Sequence, residues 1–363
     1  MGGFGLTAIP VLSPCFYRVL TVFLPCLAVL ASCLAVGVVY QRLGLARDAR
    51  RFPPPGRTVD IGGVRLHADV IGKIGESTPP VVLEAGIAAT SLSWRLVQDE
   101  IAKSTQTISY DRAGLGWSDA SLYPRGIWQL VEELRSMLDR CSVPSPRVLV
   151  AHSFGGLIAV AYALRYPQEL AGMVLVDPIG ADEWSNPTPH ARSMLNRGIF
   201  LARCGEALAK LGVVRFALNR LSSGGRTAPK LIARATSGRG GTAFAERMVG
   251  QIRKLPPEVW PMIQSHWCDP KCFRAMARQL AALPECAAAV EKEMALKGGR
   301  IATPFILLSA GDASAAQRAA QERLAEQSAR GRIEIVEDSG HWIQLDRPNV
   351  VVDSIHKMTV LKA

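Results

Sequence analysis

Residues 148–156 read VLVAHSFGG, an apolar run that ends on a serine set among small residues. RVLVA has the aliphatic, β-branched character of a strand covered on both faces, and GGLIAVAYAL after the serine has that of a buried helix. A serine on such a strand-to-helix turn carries its hydroxyl clear of the backbone, and Gly155 and Gly156 keep side chains out of the crowded bend. Ala151 stands where the G-x-S-x-G spacing has its leading glycine, so the bend must accommodate one extra methyl group. A serine hydroxyl is a poor nucleophile near neutrality. Ser153 therefore needs a base within reach and amide donors for the developing oxyanion.

Outward from this stretch, strand and helix patterns alternate. VRLHADVIG (64–72), VVLEAG (81–86), TQTISYDRAG (105–114) and GMVLVDP (172–178) read as strands, and LSWRLVQDEIAK (92–103) and GIWQLVEELRSMLDRC (126–141) as helices. The alternation stops near Pro178 and resumes with TPFILLSAGD (303–312), a helix from 315, the strand RIEIVEDSG (332–340) and a last helix through VVDSIHKM (351–358). The expected fold is α/β, a mostly parallel sheet with helices on both faces. A helical cap, with breaks at SSGG (222–225) and SGRGG (237–241), is inserted after the sixth core strand.

Val19 to Tyr40 holds 22 residues without a charge, enough to cross a hydrocarbon layer of about 30 Å. We read it as one uncleaved transmembrane anchor. The run is longer than a secretory h-region and is followed by Gln41-Arg42 rather than a cleavage site. Leu30-Ala31-Ser32-Cys33 has the form of a lipoprotein box, yet Leu34 to Tyr40 stays apolar; Gly2 lacks the Ser or Thr that a myristoylation signal wants at position 6. The expected organisation is a tail (1–18), the anchor (19–40), a basic, proline-rich linker (41–57), a first core part (58–178), the cap (179–302) and a second core part (303–363). Arg42, Arg47, Arg50 and Arg51 follow the span and Arg18 alone precedes it closely, which favours a single-pass protein with its large domain on the cytoplasmic side.

Charge is uneven. Residues 181–300 hold 19 Lys plus Arg against 9 Asp plus Glu, a net of +10 out of +11 for the whole chain. A basic cap beside an anchor suits anionic lipid headgroups or acidic substrates. Nucleic acid is not expected, since basic and aromatic residues do not interleave. The eight cysteines show no disulfide-framework spacing, and His266, Cys268 and Cys272 form one short cluster without a second ligand pair, so no metal or cofactor is expected.

The base should follow the last strand, where SGHWIQLDRP (339–348) supplies His341. Asp111 and Arg112 close the SYDRAG turn and are given a bracing role.

Taken in order, VVLEAGIAATSLSW, SYDRAGLGWSD, VLVAHSFGG, MVLVDP and SGHWIQLDRP resemble the serine branch of the α/β-hydrolase superfamily over residues 57–178 and 303–360. The resemblance implies Ser153 as nucleophile, His341 as base, and an oxyanion hole from the backbone N–H groups of Phe154 and Ile87; for the acid that orients His341 it leaves two candidates, Asp177 at the end of GMVLVD and Asp312 one residue after Gly311, with Asp177 favoured. The chain departs from the commonest form in two places: Glu84-Ala85-Gly86 replaces a His-Gly pair, and Ser314 stands at the usual acid offset. The expected activity is cleavage of an ester, thioester, lactone or amide through an acyl-enzyme, with an apolar acyl substrate. The alternative is an inactive, membrane-tethered binding protein of the same fold.

Overall fold

The apolar runs assemble into one eight-stranded sheet in a computed structural model that describes residues 14–75, 78–121, 125–222 and 250–360. Its strands are β1 (Arg57–Asp60), β2 (Arg65–Ile71), β3 (Val81–Glu84), β4 (Thr107–Tyr110), β5 (Arg147–His152), β6 (Leu170–Val176), β7 (Phe305–Ala310) and β8 (Gly331–Val336). They lie in the order β1-β2-β4-β3-β5-β6-β7-β8. The β1–β2 and β2–β4 pairs are antiparallel and the other five parallel, the mostly parallel sheet expected from the alternation.

Every residue of β5 is buried, because both faces of the sheet are covered. Val148 and Val150 pack with Trp94 and with Val97 and Ile101 of α2 (Arg95–Ile101) and Ile355 of α12 (Pro348–Val360). Leu149 and Ala151 point the other way, into a core shared with α3 (Ile127–Arg140) and α4 (Phe154–Arg165). The two-residue period of the strand thus divides one apolar run between two cores. From β3 the chain passes through α2 to β4 on one flank, then returns through α3 to β5 on the other. That reversal opens a crevice at the carboxyl ends of β3 and β5, where ligands bind in sheets of this kind.

Between β6 and β7 the described segment is helical: α5 (Ala181–Ser185), α6 (Pro189–Lys210), α7 (Val213–Ser222), α8 (Trp260–Cys268) and α9 (Pro270–Leu296). Thr188 starts α6 by accepting the Ala191 N–H at 3.2 Å, and Asp269 starts α9 by accepting the Lys271 N–H at 2.9 Å, each followed by a proline at the first helical position. Of the breaks expected at 222–225 and 237–241, Ser222 is the last residue of α7 and the rest lie outside the described residues. Two short helices complete the second part of the core, α10 (Ala315–Glu326) and α11 (Ile343–Asp346).

The long apolar segment is a helix, α1 (Pro14–Arg51), and it continues through the arginines that the sequence reading assigns to the connector. A stretch of mean hydropathy 2.3 lies within Phe23–Arg51 and is not covered by the rest of the protein. Beyond Val36 the helix meets the cap along one stripe: Gly37, Gln41, Gly44 and Asp48. A methyl group at Gly37 would overlap the Leu211 carbonyl, and one at Gly44 the Arg215 guanidinium. Gln41 donates to the Cys268 carbonyl at 2.7 Å and accepts from Arg215 Nε at 3.0 Å, while Asp48 pairs with Arg215 Nη1 at 2.5 Å.

Candidate active site

Ser153 stands between β5 and α4 with φ 55° and ψ −119°, a conformation that a residue with a Cβ adopts only under constraint. The constraint is visible. Its N–H donates to Val176 O at 3.0 Å, and its carbonyl accepts from Gly156 N at 2.9 Å. The two following glycines are required by space: a Cβ at Gly155 would lie 2.8 Å from the carbonyl oxygens of Glu84 and Ala85, and one at Gly156 would lie 2.6 Å from Pro178 Cβ. Ala151 is wholly buried in β5, its methyl group absorbed by the α4-side core. A strained turn at the carboxyl end of a central strand is the geometry of a nucleophile elbow.

Asp177 directly follows β6, the neighbour of β5, and also takes a left-handed backbone with φ 42°. Its Oδ2 lies 2.6 Å from His341 Nδ1, so of the two acid candidates it is the one beside the imidazole. The same carboxylate accepts from Ala310 N at 3.2 Å, from Gln317 Nε2 at 3.0 Å and from Gln321 Nε2 at 2.9 Å. Burial pushes its pKa up, and the contact with His341, helped by Gln321 and Ala310, outweighs it and holds the carboxyl below its ordinary value. Asp312 is exposed in the loop after β7, and Ser314, at the commoner acid position, instead caps α10 by accepting the Gln317 N–H at 3.2 Å.

His341 follows β8 with its side chain partly open, 32% accessible. Its carbonyl receives His152 Nε2 at 2.8 Å, and the two rings sit 4.6 Å apart. Burial, then the neighbouring His341, pull the His152 pKa down to about 3, so this imidazole stays neutral in ordinary buffers. Its contact with the His341 carbonyl ties the end of β5 to the loop that carries His341. A hydrogen bond at Nδ1 of His341 leaves Nε2 as the atom that can exchange a proton with a serine hydroxyl.

The segment 85–89 borders the elbow, since a Cβ at Gly86 would lie 2.9 Å from His152 Nδ1 and 3.4 Å from Ser153 Cβ. Among the described residues the N–H groups of Ile87 and Phe154 have no acceptor. On the cap side Val259, Ile263 and Trp260 pack with Leu92, Leu345 and Trp342 in one apolar cluster. His266 and Cys268 fall on α8 and Cys272 on α9, where burial raises the two thiols to about 11 and about 12. Among the described residues no three His, Cys, Asp or Glu side chains gather as a metal-binding set.

Residues 81–354 match the family model described as "Alpha/beta hydrolase family". The chain belongs to the alpha/beta hydrolase family. It is 34% identical over 126 residues to YqjL of Bacillus subtilis (strain 168), described as uncharacterized, covering 35% of this chain and 49% of that protein. It is 32% identical over 134 residues to a 2-hydroxymuconate semialdehyde hydrolase of Pseudomonas sp. (strain CF600), covering 35% and 45%. The chain thus spans about half the length of the curated relatives it matches. Among solved structures, the enol-lactonase from Burkholderia xenovorans LB400 superposes with a TM-score of 0.58 at 19% identity, over 83% of this chain and 99% of that one. A thermophilic esterase from Thermogutta terrifontis gives 0.57 at 19%, over 84% and 100%. At such identities these structures speak for the alpha/beta hydrolase fold.

Two bracing residues of the site escaped the sequence reading. Gln317 and Gln321 stand one helical turn apart on α10, and both donate to Asp177. Their i, i+4 spacing on an otherwise alanine-rich face was the available signal.

Proposed function

We propose that the protein is a membrane-anchored serine hydrolase that cleaves an ester-like bond (ester, thioester, lactone or amide) through an acyl-enzyme. The observation that carries this reading is the Asp177–His341 contact of 2.6 Å set at the strand ends beside the strained turn of Ser153. In the proposed cycle Ser153 Oγ attacks the substrate carbonyl as His341 Nε2 takes its proton, and Asp177 stabilises the resulting imidazolium. The N–H groups of Phe154 and Ile87 receive the oxyanion, collapse expels the leaving group with the proton from His341, and water attacks the acyl-serine by the reverse sequence.

A catalytic domain tethered to a lipid layer by the uncovered apolar length of α1 favours an apolar acyl group as substrate. The uncovered apolar length of α1 supports membrane attachment, and the arginines at its carboxyl end support a cytoplasmic catalytic domain. The test is a pre-steady-state assay of the full chain in detergent micelles with p-nitrophenyl esters of increasing chain length. The expected result is a burst of p-nitrophenol stoichiometric with enzyme, absent from Ser153→Ala. No hydrolysis by the folded protein across the series would instead favour a non-catalytic binding role.

A further inference from the structure

In the sequence, Glu84-Ala85-Gly86 departs from the expected His-Gly pair, and Arg112 belongs to a turn on the next strand. In the fold they form one buried cluster. Glu84 and Arg112 are 0% and 3% exposed, they form an ion pair, and the Tyr110 hydroxyl donates to the same carboxylate. A buried pair of this kind is weak support for stability, because apolar residues of similar volume often serve as well. Its geometry suggests a different use. Arg112 Nη1 also donates to Ala85 O at 2.5 Å, and Nη2 donates to Gly86 O, so one guanidinium takes two successive carbonyls of the segment that borders the elbow.

The Gly86–Ile87 peptide is trans, so its C=O and N–H point in opposite directions. Drawing the Gly86 carbonyl onto Arg112 therefore aims the Ile87 N–H away from Arg112. That N–H has no acceptor among the described residues. The next residue is held from the cap side: Ala88, at φ 56°, donates its N–H to Gln279 Oε1 of α9 at 3.2 Å, and that oxygen lies 3.5 Å from Arg112 Nη2. A planar, rigid fork suits this task, whereas a lysine ammonium would be a point charge without fixed directions.

We propose that Arg112, locked by Glu84, is the positioning residue of the oxyanion hole, holding the Ala85 and Gly86 carbonyls so that the Ile87 N–H faces the substrate oxygen. This rests on the serine-hydrolase reading above. The test compares wild type, Arg112→Met, and the charge-neutral pair Glu84→Leu with Arg112→Met, all as full chains in detergent micelles with p-nitrophenyl butyrate, with thermal unfolding followed alongside. Loss of an oxyanion donor lowers kcat by about 10²–10³, so kcat should fall at least about tenfold for a misaimed donor while KM stays within about twofold. The pair leaves no orphaned charge, so it carries the same prediction where the single variant does not fold. A folded pair with kcat within about twofold of wild type overturns the proposal, as does a loss confined to KM. Absence of hydrolysis by the folded wild type would overturn the serine-hydrolase reading itself and the proposal with it; wild-type hydrolysis with unchanged variants overturns the proposal alone.

Discussion

Replacing Asp48 by alanine leaves the Arg215 guanidinium, 2% exposed, inside the seam between α1 and the cap without its carboxylate. Removing one member of a buried ion pair costs about 3–5 kcal/mol. Asp48 keeps 13% of its side-chain surface in solvent, and Gln41 Oε1 still accepts from Arg215 Nε at 3.0 Å, so the lower end applies, about 3 kcal/mol. For a chain of this size a loss of 1 kcal/mol lowers Tm by about 2 °C. The Asp48→Ala protein should therefore unfold about 6 °C below wild type in detergent micelles. The pair Asp48→Leu with Arg215→Met removes both charges and should stay within about 1 kcal/mol of wild type, or about 2 °C. Thermal unfolding of both variants beside wild type measures the difference. If Asp48→Ala matched wild type, the seam would contribute nothing and α1 would be a mere tether.

Asp177→Asn should lower kcat by about 10⁴, because an amide cannot hold the His341 tautomer, whereas exposed Asp312→Asn should change it less than about twofold; steady-state ester hydrolysis separates them. Gly155→Ala should lower kcat more than about tenfold, since its Cβ would press on the Glu84 and Ala85 carbonyls at 2.8 Å and displace the Ser153 turn from the segment 85–89. Burial pushes His67 down, but Asp111 at 2.9 Å and the Pro55 carbonyl raise its pKa above 6.5. A raised folded-state value means a stabilisation complete below 6.5 and lost as pH climbs through the raised value. Asp111 is the converse: despite burial its carboxyl is held well below 3.8, so its contribution is present above that and is lost only in strong acid. The fall in Tm between about pH 6 and about pH 9 should shrink in Asp111→Asn, measured by thermal unfolding across that range.

VLVAHSFGG was sufficient to place a strand, a turn and a helix, because burial on both faces and small residues at the bend are local properties. The place of His341 was legible from its position after the last strand. Which aspartate stands beside it was not. Choosing between Asp177 and Asp312 depends on how α10 packs against the ends of β6 and β7, where Gln317, Gln321 and the Ala310 N–H converge on one carboxylate. The link between Glu84 and Arg112 spans two strands that become neighbours only in the sheet. The seam Gly37–Gln41–Gly44–Asp48 was hidden differently: its helical spacing straddles the end of the apolar run, where hydropathy alone suggests a boundary.

The most direct measurement is covalent labelling of the full chain by a fluorophosphonate probe, followed by mass spectrometry of the modified peptide, with Ser153→Ala and Asp177→Asn as controls. The account predicts modification on Ser153 in wild type, none in Ser153→Ala, and strongly slowed labelling in Asp177→Asn. A folded wild-type protein that stayed unlabelled, or took the label on another residue, would contradict it.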